Sequence, residues 1–333
     1  MSATLPTYLL DVLTKLLPGT SLVRADADTL TKFCRHEVRL LDEDLLSEGI
    51  AEAALVDANR GMGVLVIATT VGRAQEIWKK LRGRMNCELL HGRFHADDRS
   101  QKERDLLATR GVGSSTTKQG VILVATQVVE VSLNVDFDVL YSDPAPLEAL
   151  LQRFGRVNRE HRDPVKTVNV CRIIPEGSPV YPEFLIYKAL RVLEICDRKV
   201  LEEGQLQAML DDIYAGELGT LLSRELEEGI QRFSRDVLST CRPFSSDEKI
   251  EDLFDEMFDG YEVLPKWLRG EYENRLEKAP LLAPGLLIPI TRGQYFSLKS
   301  RGRLHPLDKV TVADCPYTEM GLEVYGPANQ DGI

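Results

Sequence analysis

Three arginines recur at intervals of three residues in the segment LLQRFGRVNRE, residues 150–160. On a helix and its continuation, Arg153, Arg156 and Arg159 project from neighbouring positions. Unscreened guanidinium groups at this spacing repel one another unless an anion lies opposite them. A triphosphate fits this pattern, because the planar fork of arginine binds phosphate bidentately and offsets the charge on a transferred phosphoryl group. A solvated basic helix face is the alternative interpretation, and the spacing alone leaves both open.

Small polar or charged residues follow four of the strands that the sequence predicts. The first strand ends in Thr69 and Thr70, the second in His91, Gly92 and Arg93, the third in Thr126 and Gln127, and the fourth in Asp143 and Pro144. Ligands of open parallel sheets bind at the carboxyl ends of the strands, where hydroxyl groups and helix N-terminal amides can hold phosphate oxygens. Each residue could instead cap the helix that follows it. Because the pattern recurs at four strands, we favour an edge that binds a nucleotide or a phosphate backbone.

The segment VATQVVEVSLNVDFDVLYSDPAP links the third strand to the fourth. Its polar side chains are those of Glu130, Ser132, Asn134, Asp136 and Asp138. A carboxamide and carboxylates that leave a buried strand could hydrogen-bond a ribose, or they could only satisfy the loop backbone. Composition does not decide between these two roles.

The elements that position these residues follow an α/β pattern. Apolar strands are predicted at 64–68, 87–91, 120–125, 137–142 and 166–174, with helical segments between most of them. Strands that are apolar throughout and separated by helices imply a parallel sheet covered by helices on both faces. We therefore predict an α/β domain over residues 60–175. Residues 1–59 precede it and include CRHEVRLL, which alternates like an edge strand; residues 176–284 form an acidic, mostly helical region, and residues 285–333 a small segment with short strands.

Composition limits the classes of function. The formal net charge is -11, but residues 60–166 carry 17 basic and 13 acidic groups. An acidic total argues against a wholly electrostatic nucleic-acid binder and is compatible with a local basic groove. The six cysteines form no C-x-x-C pair, which predicts reduced thiols in a cytoplasmic protein. We expect no membrane association, because no segment approaches the ~20 apolar residues of a membrane span and the N-terminus lacks the features of a signal peptide.

Five segments resemble motifs of one enzyme family. The run ILVATQVVEVSLNVDFDVLYSDPAPLEALLQRFGRVNR resembles motifs V and VI of superfamily 2 helicases, and in particular the CRISPR-associated helicase-nuclease that degrades target DNA in type I interference. VLVIATTVGRAQEIWKKL is similar to motif IV of that family, LLHGRFHADDRSQKER to its His-x-Arg segment, and MSATLP to motif III. CPYTEMGLEVYG resembles the Tyr-x-x-x-Gly-Leu stretch of its C-terminal part. The resemblance identifies residues 60–175 as a second RecA-like helicase domain.

The resemblance also implies residue roles. Arg156 and Arg159 look like the catalytic arginine fingers on the γ-phosphate of ATP. Gln152, Arg153 and Gly155 belong to the same nucleotide-binding motif, and Asn134 stands where such helicases usually have an aspartate beside the ribose. The residues implied along the path of the DNA are Thr69, Thr70, His91, Arg93, Thr126 and Gln127. Ser2 and Thr4 belong to the element that couples ATP hydrolysis to strand movement.

Several parts of such a motor are not found in the sequence. No G-x-x-x-x-G-K-[ST] phosphate cradle, no Asp-Glu box for Mg²⁺ and no His-Asp dipeptide occurs in the 333 residues. We therefore predict the C-terminal half of an ATP-dependent translocase on single-stranded DNA in antiviral defence, unable to hydrolyse ATP alone. ATP and Mg²⁺ would be shared with a chain or segment that carries the first RecA-like domain and the HD nuclease, and an RNA-guided surveillance complex would recruit the assembly. On this view MSATLP is an internal motif of a larger motor. The helix TYLLDVLTKLL after it would then have an apolar face that is either exposed or covered by another partner.

Two other classes remain open. A non-catalytic module that binds nucleic acid or the surveillance complex without turnover is the main alternative. A metabolite or sugar-nucleotide enzyme on a similar sheet is the third, since a fold alone does not fix a function. The arginine motif in its long context disfavours that third class.

Overall fold

The computed structural model describes residues 5–23, 25–26, 29–30, 34–113, 120–131, 133–160, 164–176, 180–239 and 260–325. Ser2 and Thr4, the predicted coupling residues, lie outside this set. The chain divides into two compact units, Met1–Glu88 with Arg110–Asp247 and Leu89–Thr109 with Glu248–Ile333. Each unit is described by itself.

The helices named here alternate with strands over much of the chain. Their bounds are α1 (Thr7–Leu16), α2 (Glu48–Asn59), α3 (Val71–Leu81), α4 (Ala96–Arg110), α5 (Leu147–Phe154), α6 (Glu183–Glu194), α7 (Leu206–Ile213), α8 (Glu217–Phe233), α9 (Arg269–Lys278) and α10 (Arg292–Ser300). Among the residues that the structure describes, no helix is both long and apolar enough to span a bilayer.

A seven-stranded sheet organises the first unit. Its strands are β1 (His36–Leu41), β2 (Gly63–Ile67), β3 (Cys87–Leu90), β4 (Val121–Ala125), β5 (Val139–Ser142), β6 (Lys166–Cys171) and β7 (Lys199–Leu201), in the order β3-β4-β2-β5-β6-β1-β7. Strands β2 and β4 pair in parallel and are buried at every position, as expected for apolar strands covered on both faces. The predicted α/β architecture with a parallel sheet is confirmed.

Strand β1 corrects one detail of that prediction. The alternation in CRHEVRLL indicates an edge strand, but β1 lies between β6, with which it is parallel, and β7, which is antiparallel to it. The short strand β7 therefore forms the edge. Its sequence, KVL, is too short for its periodicity to distinguish a strand from a loop.

Helix α1 packs against α8, which covers part of its apolar face. Val12 is buried, whereas Leu16 is 41% exposed. Thr7 binds Asp211 through its backbone amide and its hydroxyl, both at 2.8 Å. The rings of Tyr8 and Tyr214 lie 5.2 Å apart. The acidic helical region thus covers this helix, which periodicity alone could not reveal because it identifies an apolar face and not its partner.

The second unit is built on a smaller sheet. Strands β8 (Gly260–Pro265), β9 (Ile288–Thr291), β10 (Leu304–Leu307) and β11 (Val310–Ala313) pair in the order β10-β11-β8-β9, and β12 (Tyr317–Thr318) pairs with β13 (Gly321–Leu322). Adjacent residues of β8 point to opposite faces, so Val263 joins one apolar cluster and Leu264 another. The predicted C-terminal segment with short strands is confirmed.

Candidate nucleotide and nucleic-acid site

Arg153 is fully buried and its guanidinium is bound within the protein. Its Nε donates to the Glu130 carboxylate at 2.8 Å, and its Nη1 donates to Ser142 Oγ at 2.8 Å and to the Asp143 carbonyl at 3.0 Å. Its Nη2 donates to the Tyr181 hydroxyl at 3.4 Å. The sequence-based picture of three unscreened guanidinium groups is therefore corrected, because Glu130 neutralises Arg153 from inside the fold. In this structure the Arg153 guanidinium is therefore buried and bonded to Glu130, Ser142, Asp143 and Tyr181.

Arg156 lies just beyond the end of α5 and is mostly buried. Its Nε donates to the carbonyl of Val129 at 2.8 Å, and its Nη2 donates to the carbonyl of Glu130. Burial lowers the pKa of Arg156, and the nearby positive charge of Arg159 lowers it further. The two cations therefore lie close enough to repel each other, as their spacing predicts.

Arg159 is the exposed member of the three arginines. Its backbone amide donates to Asp136 Oδ1 at 2.8 Å, which fixes the turn, while its guanidinium, within the part of the chain that the structure describes, makes only a long contact of 3.4 Å with the Gly155 carbonyl. Asn134 is exposed as well. Gln152 and Gly155 are half-buried on and just after α5. An anion could therefore reach Arg159 without displacing a strong internal partner.

The ends of β2 and β5 are joined by the Asp143 carboxylate. Asp143 is fully buried and accepts hydrogen bonds from the amide and hydroxyl of Thr69, at 2.9 and 3.1 Å. Arg73 on α3 completes the cluster, with Nε and Nη2 at 2.9 and 2.8 Å from the two carboxylate oxygens. Thr70 is the N-cap of α3, because its hydroxyl accepts from the amide of Arg73 at 3.3 Å. Capping and internal bonding therefore account for both predicted threonines at this strand end.

Gln127 is half-buried directly after β4, and Thr126 beside it is buried. The Gln127 amide donates to the Thr69 carbonyl at 2.8 Å, so the ends of β2 and β4 are also tied together. The Tyr181 hydroxyl, which contacts Arg153, also hydrogen-bonds the Gln127 side chain. The edge predicted from Thr69, Thr126, Gln127 and Asp143 is therefore assembled, although much of its polar surface is directed inward.

His91 and Arg93 belong to the second unit. The His91 imidazole is fully buried, stacks on Phe94 at 4.5 Å, and its Nδ1 accepts from the amide of Arg93 at 3.2 Å. Burial first, and the charge of Arg93 second, lower the pKa of His91 to about 3, so the ring is neutral at physiological pH. The His91 imidazole, predicted to lie on the path of the DNA, has no exposed surface in this structure. Arg93 is half-buried and burial lowers its pKa.

The segment CPYTEMGLEVYG packs on the residues around His91. Leu322 donates from its amide to the carbonyl of Arg93 at 2.9 Å. A Cβ on Gly321, where φ is +72°, would lie 2.7 Å from that carbonyl oxygen and 2.9 Å from His91 Cε1. The Tyr317 hydroxyl donates to Asp98 Oδ2 at 2.5 Å, and burial raises the pKa of Tyr317. The structure thus explains two residues of the Tyr-x-x-x-Gly-Leu pattern. Gly321 permits a close approach to the Arg93 carbonyl, and Tyr317 forms a hydrogen bond with Asp98.

The structure adds residues that the sequence did not single out. In the sequence Glu130 is one of several loop carboxylates, and no sequence pattern assigns a role to Tyr181, Asp98 or Arg73. No sequence signal pairs Glu130 with Arg153, because their contact depends on the path of the chain between them. Among the described residues, no group of three or more His, Cys, Asp and Glu side chains could hold a metal ion.

The first unit combines a largely parallel sheet with an exposed arginine after α5 and a polar segment after β4 that Arg156 holds. Comparison with known proteins assigns a class to this arrangement. Residues 60–162 match the family model described as "CRISPR-associated nuclease/helicase Cas3, C-terminal". The chain corresponds to the C-terminal portion of Cas3 proteins.

Individual relatives agree with this assignment. The CRISPR-associated endonuclease/helicase Cas3 of Thermus thermophilus is 39% identical over 141 residues, which are 39% of this chain and 15% of the relative. The Escherichia coli protein with the same description is 29% identical over 243 residues, 64% of this chain and 27% of the relative. The chain therefore spans less than a third of the curated relatives it matches. The crystal structure of T. fusca Cas3 with AMPPNP shares the fold, with a TM-score of 0.58 and 21% identity over 89% of this chain and 39% of that one.

Proposed function

We propose that this chain provides the second motor domain of a CRISPR-associated, ATP-dependent translocase that moves on single-stranded DNA in the cytoplasm during antiviral defence. One observation carries the proposal. Arg156, which follows the helix expected at the nucleotide, donates to the carbonyls of Val129 and Glu130 in the segment expected at the DNA. We infer that these hydrogen bonds couple the position of the nucleotide-side turn to that of the DNA-side segment.

Arg159 and Arg156 are the residues proposed to act on ATP. Arg159 is exposed, and among the described residues its guanidinium makes only a long contact, so it can turn towards a γ-phosphate held by a facing domain. Positive charge placed there offsets the charge that develops during phosphoryl transfer. Arg156 fixes the turn and adds to the local positive potential. We propose that the first RecA-like domain holds the Mg²⁺ of the shared ATP site.

The proposed DNA contacts are the accessible members of the predicted set. Thr70, Arg93 and Gln127 are half-buried, so part of each residue is accessible. Thr69, Thr126 and His91 are buried, so we assign them to positioning these neighbours. A contact to backbone phosphates fixes a strand in register without reading its sequence, which suits a translocase.

The proposed partners follow from the relatives. A first RecA-like domain with an HD nuclease would supply the missing half of the ATP site. A solved complex described as "CRISPR RNA-guided surveillance complex, pre-nicking" contains a chain with this fold, at a TM-score of 0.54 and 18% identity. We propose that a complex of that kind recruits this protein to DNA.

The test is reconstitution. This chain, mixed with a polypeptide that carries a P-loop and an Asp-Glu box of the same family, should hydrolyse ATP when single-stranded DNA is added. Arg159→Ala should reduce kcat about 10³-fold, by analogy with other arginine fingers. Arg224→Ala is the matched control, since Arg224 is exposed on α8 and forms a surface ion pair with Glu228.

Two results would redirect the proposal. Activity that is equal for Arg159→Ala and Arg224→Ala would exclude the arginine-finger role. Salt-dependent DNA binding with no ATP turnover in any reconstitution would favour a non-catalytic binding module instead.

A further inference from the structure

A basic and aromatic surface lies on α10 and the residues after it, in the second unit. Between residues 279 and 313 the charged side chains comprise one acidic residue, Asp308, and five basic ones: Arg292, Lys299, Arg301, Arg303 and Lys309. The chain as a whole has a net charge of -11. This segment is therefore a local concentration of positive charge on an acidic protein, and no predicted site includes it.

Helix α10 is firmly anchored, so the side chains of its outer face have defined positions. Thr291 and Gln294 form a capping box at its start, with hydrogen bonds of 3.0 and 3.3 Å. Leu298 is fully buried in the apolar core of the unit. Arg292, Phe296 and Lys299 are exposed and stand at positions i, i+4 and i+7, which places them on one face of the helix. We call these three residues, with Arg301 after the helix, the α10 surface.

Two tyrosines hold the exposed phenylalanine in place. The Phe296 ring is 46% exposed and meets the edges of Tyr295, at 5.6 Å, and of Tyr261, at 6.1 Å. Tyr261 and Tyr295 are themselves stacked at 4.1 Å. The Arg292 guanidinium lies 5.8 Å from the centre of the Phe296 ring. The Phe296 ring is thus held in place by its neighbours while part of its surface remains exposed.

The cations of the α10 surface differ in their pairing from other cations of the second unit. Among the described residues, Arg292, Lys299 and Arg301 form no ion pair. Other cations of the same unit do: Arg269 Nε lies 2.9 Å from Glu273, and Lys266 Nζ lies 3.2 Å from Asp314. Unpaired positive charge beside an exposed aromatic ring matches a ligand that carries both anions and flat apolar groups.

We propose that the α10 surface binds single-stranded nucleic acid, with Arg292, Lys299 and Arg301 on the phosphates and a base stacked on Phe296. Arginine binds phosphate through its planar fork, and aromatic side chains bind unpaired bases without regard to sequence. A duplex does not expose the faces of its internal bases, so the aromatic component selects a single strand. The proposal is independent of Arg156 and Gln127, which lie in the other unit.

Fluorescence anisotropy of a labelled oligothymidine with the 333-residue chain tests this. In Arg292→Gln/Lys299→Gln the slope of log K against log salt should become shallower by about 1.4, because each single-strand phosphate contact contributes about 0.7. Phe296→Leu should weaken binding between about fivefold and a hundredfold at all salt concentrations. The matched control is Arg269→Gln/Lys278→Gln on α9, which removes the same charge from exposed positions and should leave the slope almost unchanged.

The outcomes separate this inference from the proposed function. If the α10 variants bind like the wild type while Gln127→Ala binds more weakly, the inference is wrong and the proposed DNA track stands. If Gln127→Ala is silent and the α10 variants bind weakly, the inference stands and that track fails. Displacement of the oligothymidine by polyglutamate as readily as by unlabelled oligothymidine, with Phe296→Leu unchanged, would overturn it in favour of an acidic protein partner. No binding by the wild type would also overturn it.

Discussion

Arg153 and Glu130 form a buried ion pair, with Nε 2.8 Å from the carboxylate oxygen, between the last turn of α5 and the segment after β4. The Arg153 side chain is 0% exposed and that of Glu130 12%. Two segments that the resemblance assigns to nucleotide and DNA are therefore held together by an internal charge pair. Arg156 adds hydrogen bonds to the same segment, so the connection does not depend on one contact.

Loss of Arg153 should strongly destabilise the first unit. Removal of one partner from a buried ion pair leaves an uncompensated charge, so Arg153→Ala should lower the free energy of unfolding by about 3–5 kcal/mol in urea denaturation. Arg224→Ala, at an exposed pair on α8, should change it by less than about 0.5 kcal/mol. Equal effects of the two substitutions would show that the buried pair does not stabilise the fold.

Gly321 should be intolerant of a side chain for two separable reasons. Its φ of +72° disfavours any Cβ, and a Cβ there would lie 2.7 Å from the Arg93 carbonyl. Gly302 is a matched control, because its φ is +67° and no atom lies within 4 Å of its Cβ position. We expect Gly302→Ala to cost roughly 1–2 kcal/mol from backbone strain alone, and Gly321→Ala a further 1–3 kcal/mol from the overlap. Equal unfolding midpoints for the two variants would contradict the packing role of Gly321.

Two apolar segments show how much of the fold the sequence could reveal. The runs VLVIA and GVILVA predict buried parallel strands because they are apolar without alternation, and the order of strands and helices follows from them. The polar residues that end these strands could be found in the same way. Their proximity is confirmed for Thr69, Gln127 and Asp143, which hydrogen bonds connect.

The partners of polar groups could not be found from the sequence. The spacing of the arginines indicates that they lie close together, but it does not show that Glu130 lies opposite Arg153 inside the fold. Likewise, the burial of His91 depends on Gly321 and Leu322, which come from a distant part of the chain. A contact of this kind is fixed by tertiary packing, and no local period records it.

The buried imidazole of His91 should make stability depend on pH. Its pKa in the folded chain is about 3, below the ordinary value of 6.5, so between these two pH values the unfolded chain binds a proton that the folded chain does not. The stabilisation is complete above about pH 6.5 and is lost as pH falls towards 3. The free energy of unfolding should fall by about 1.4 kcal/mol for each pH unit through this site.

The measurement is urea denaturation at several pH values in this range. His91→Gln should give a shallower dependence of stability on pH than the wild type, because glutamine does not titrate. His305→Gln is the control, since His305 is exposed on β10, and it should keep the wild-type slope. Parallel curves for His91→Gln and the wild type would mean that His91 takes up its proton in the folded state.

Thr70 allows capping to be separated from DNA binding, because its hydroxyl caps α3 by accepting from the Arg73 amide. Thr70→Asp keeps a good N-cap and adds a negative charge that suits a helix N-terminus, so stability should stay within about 0.5 kcal/mol of the wild type. Thr70→Val removes the cap and should cost about 1 kcal/mol in urea denaturation. If Thr70 also faces the DNA backbone, Thr70→Asp should weaken oligothymidine binding several-fold through repulsion of phosphate, whereas unchanged affinity in the stable Thr70→Asp variant would leave Thr70 with a capping role alone.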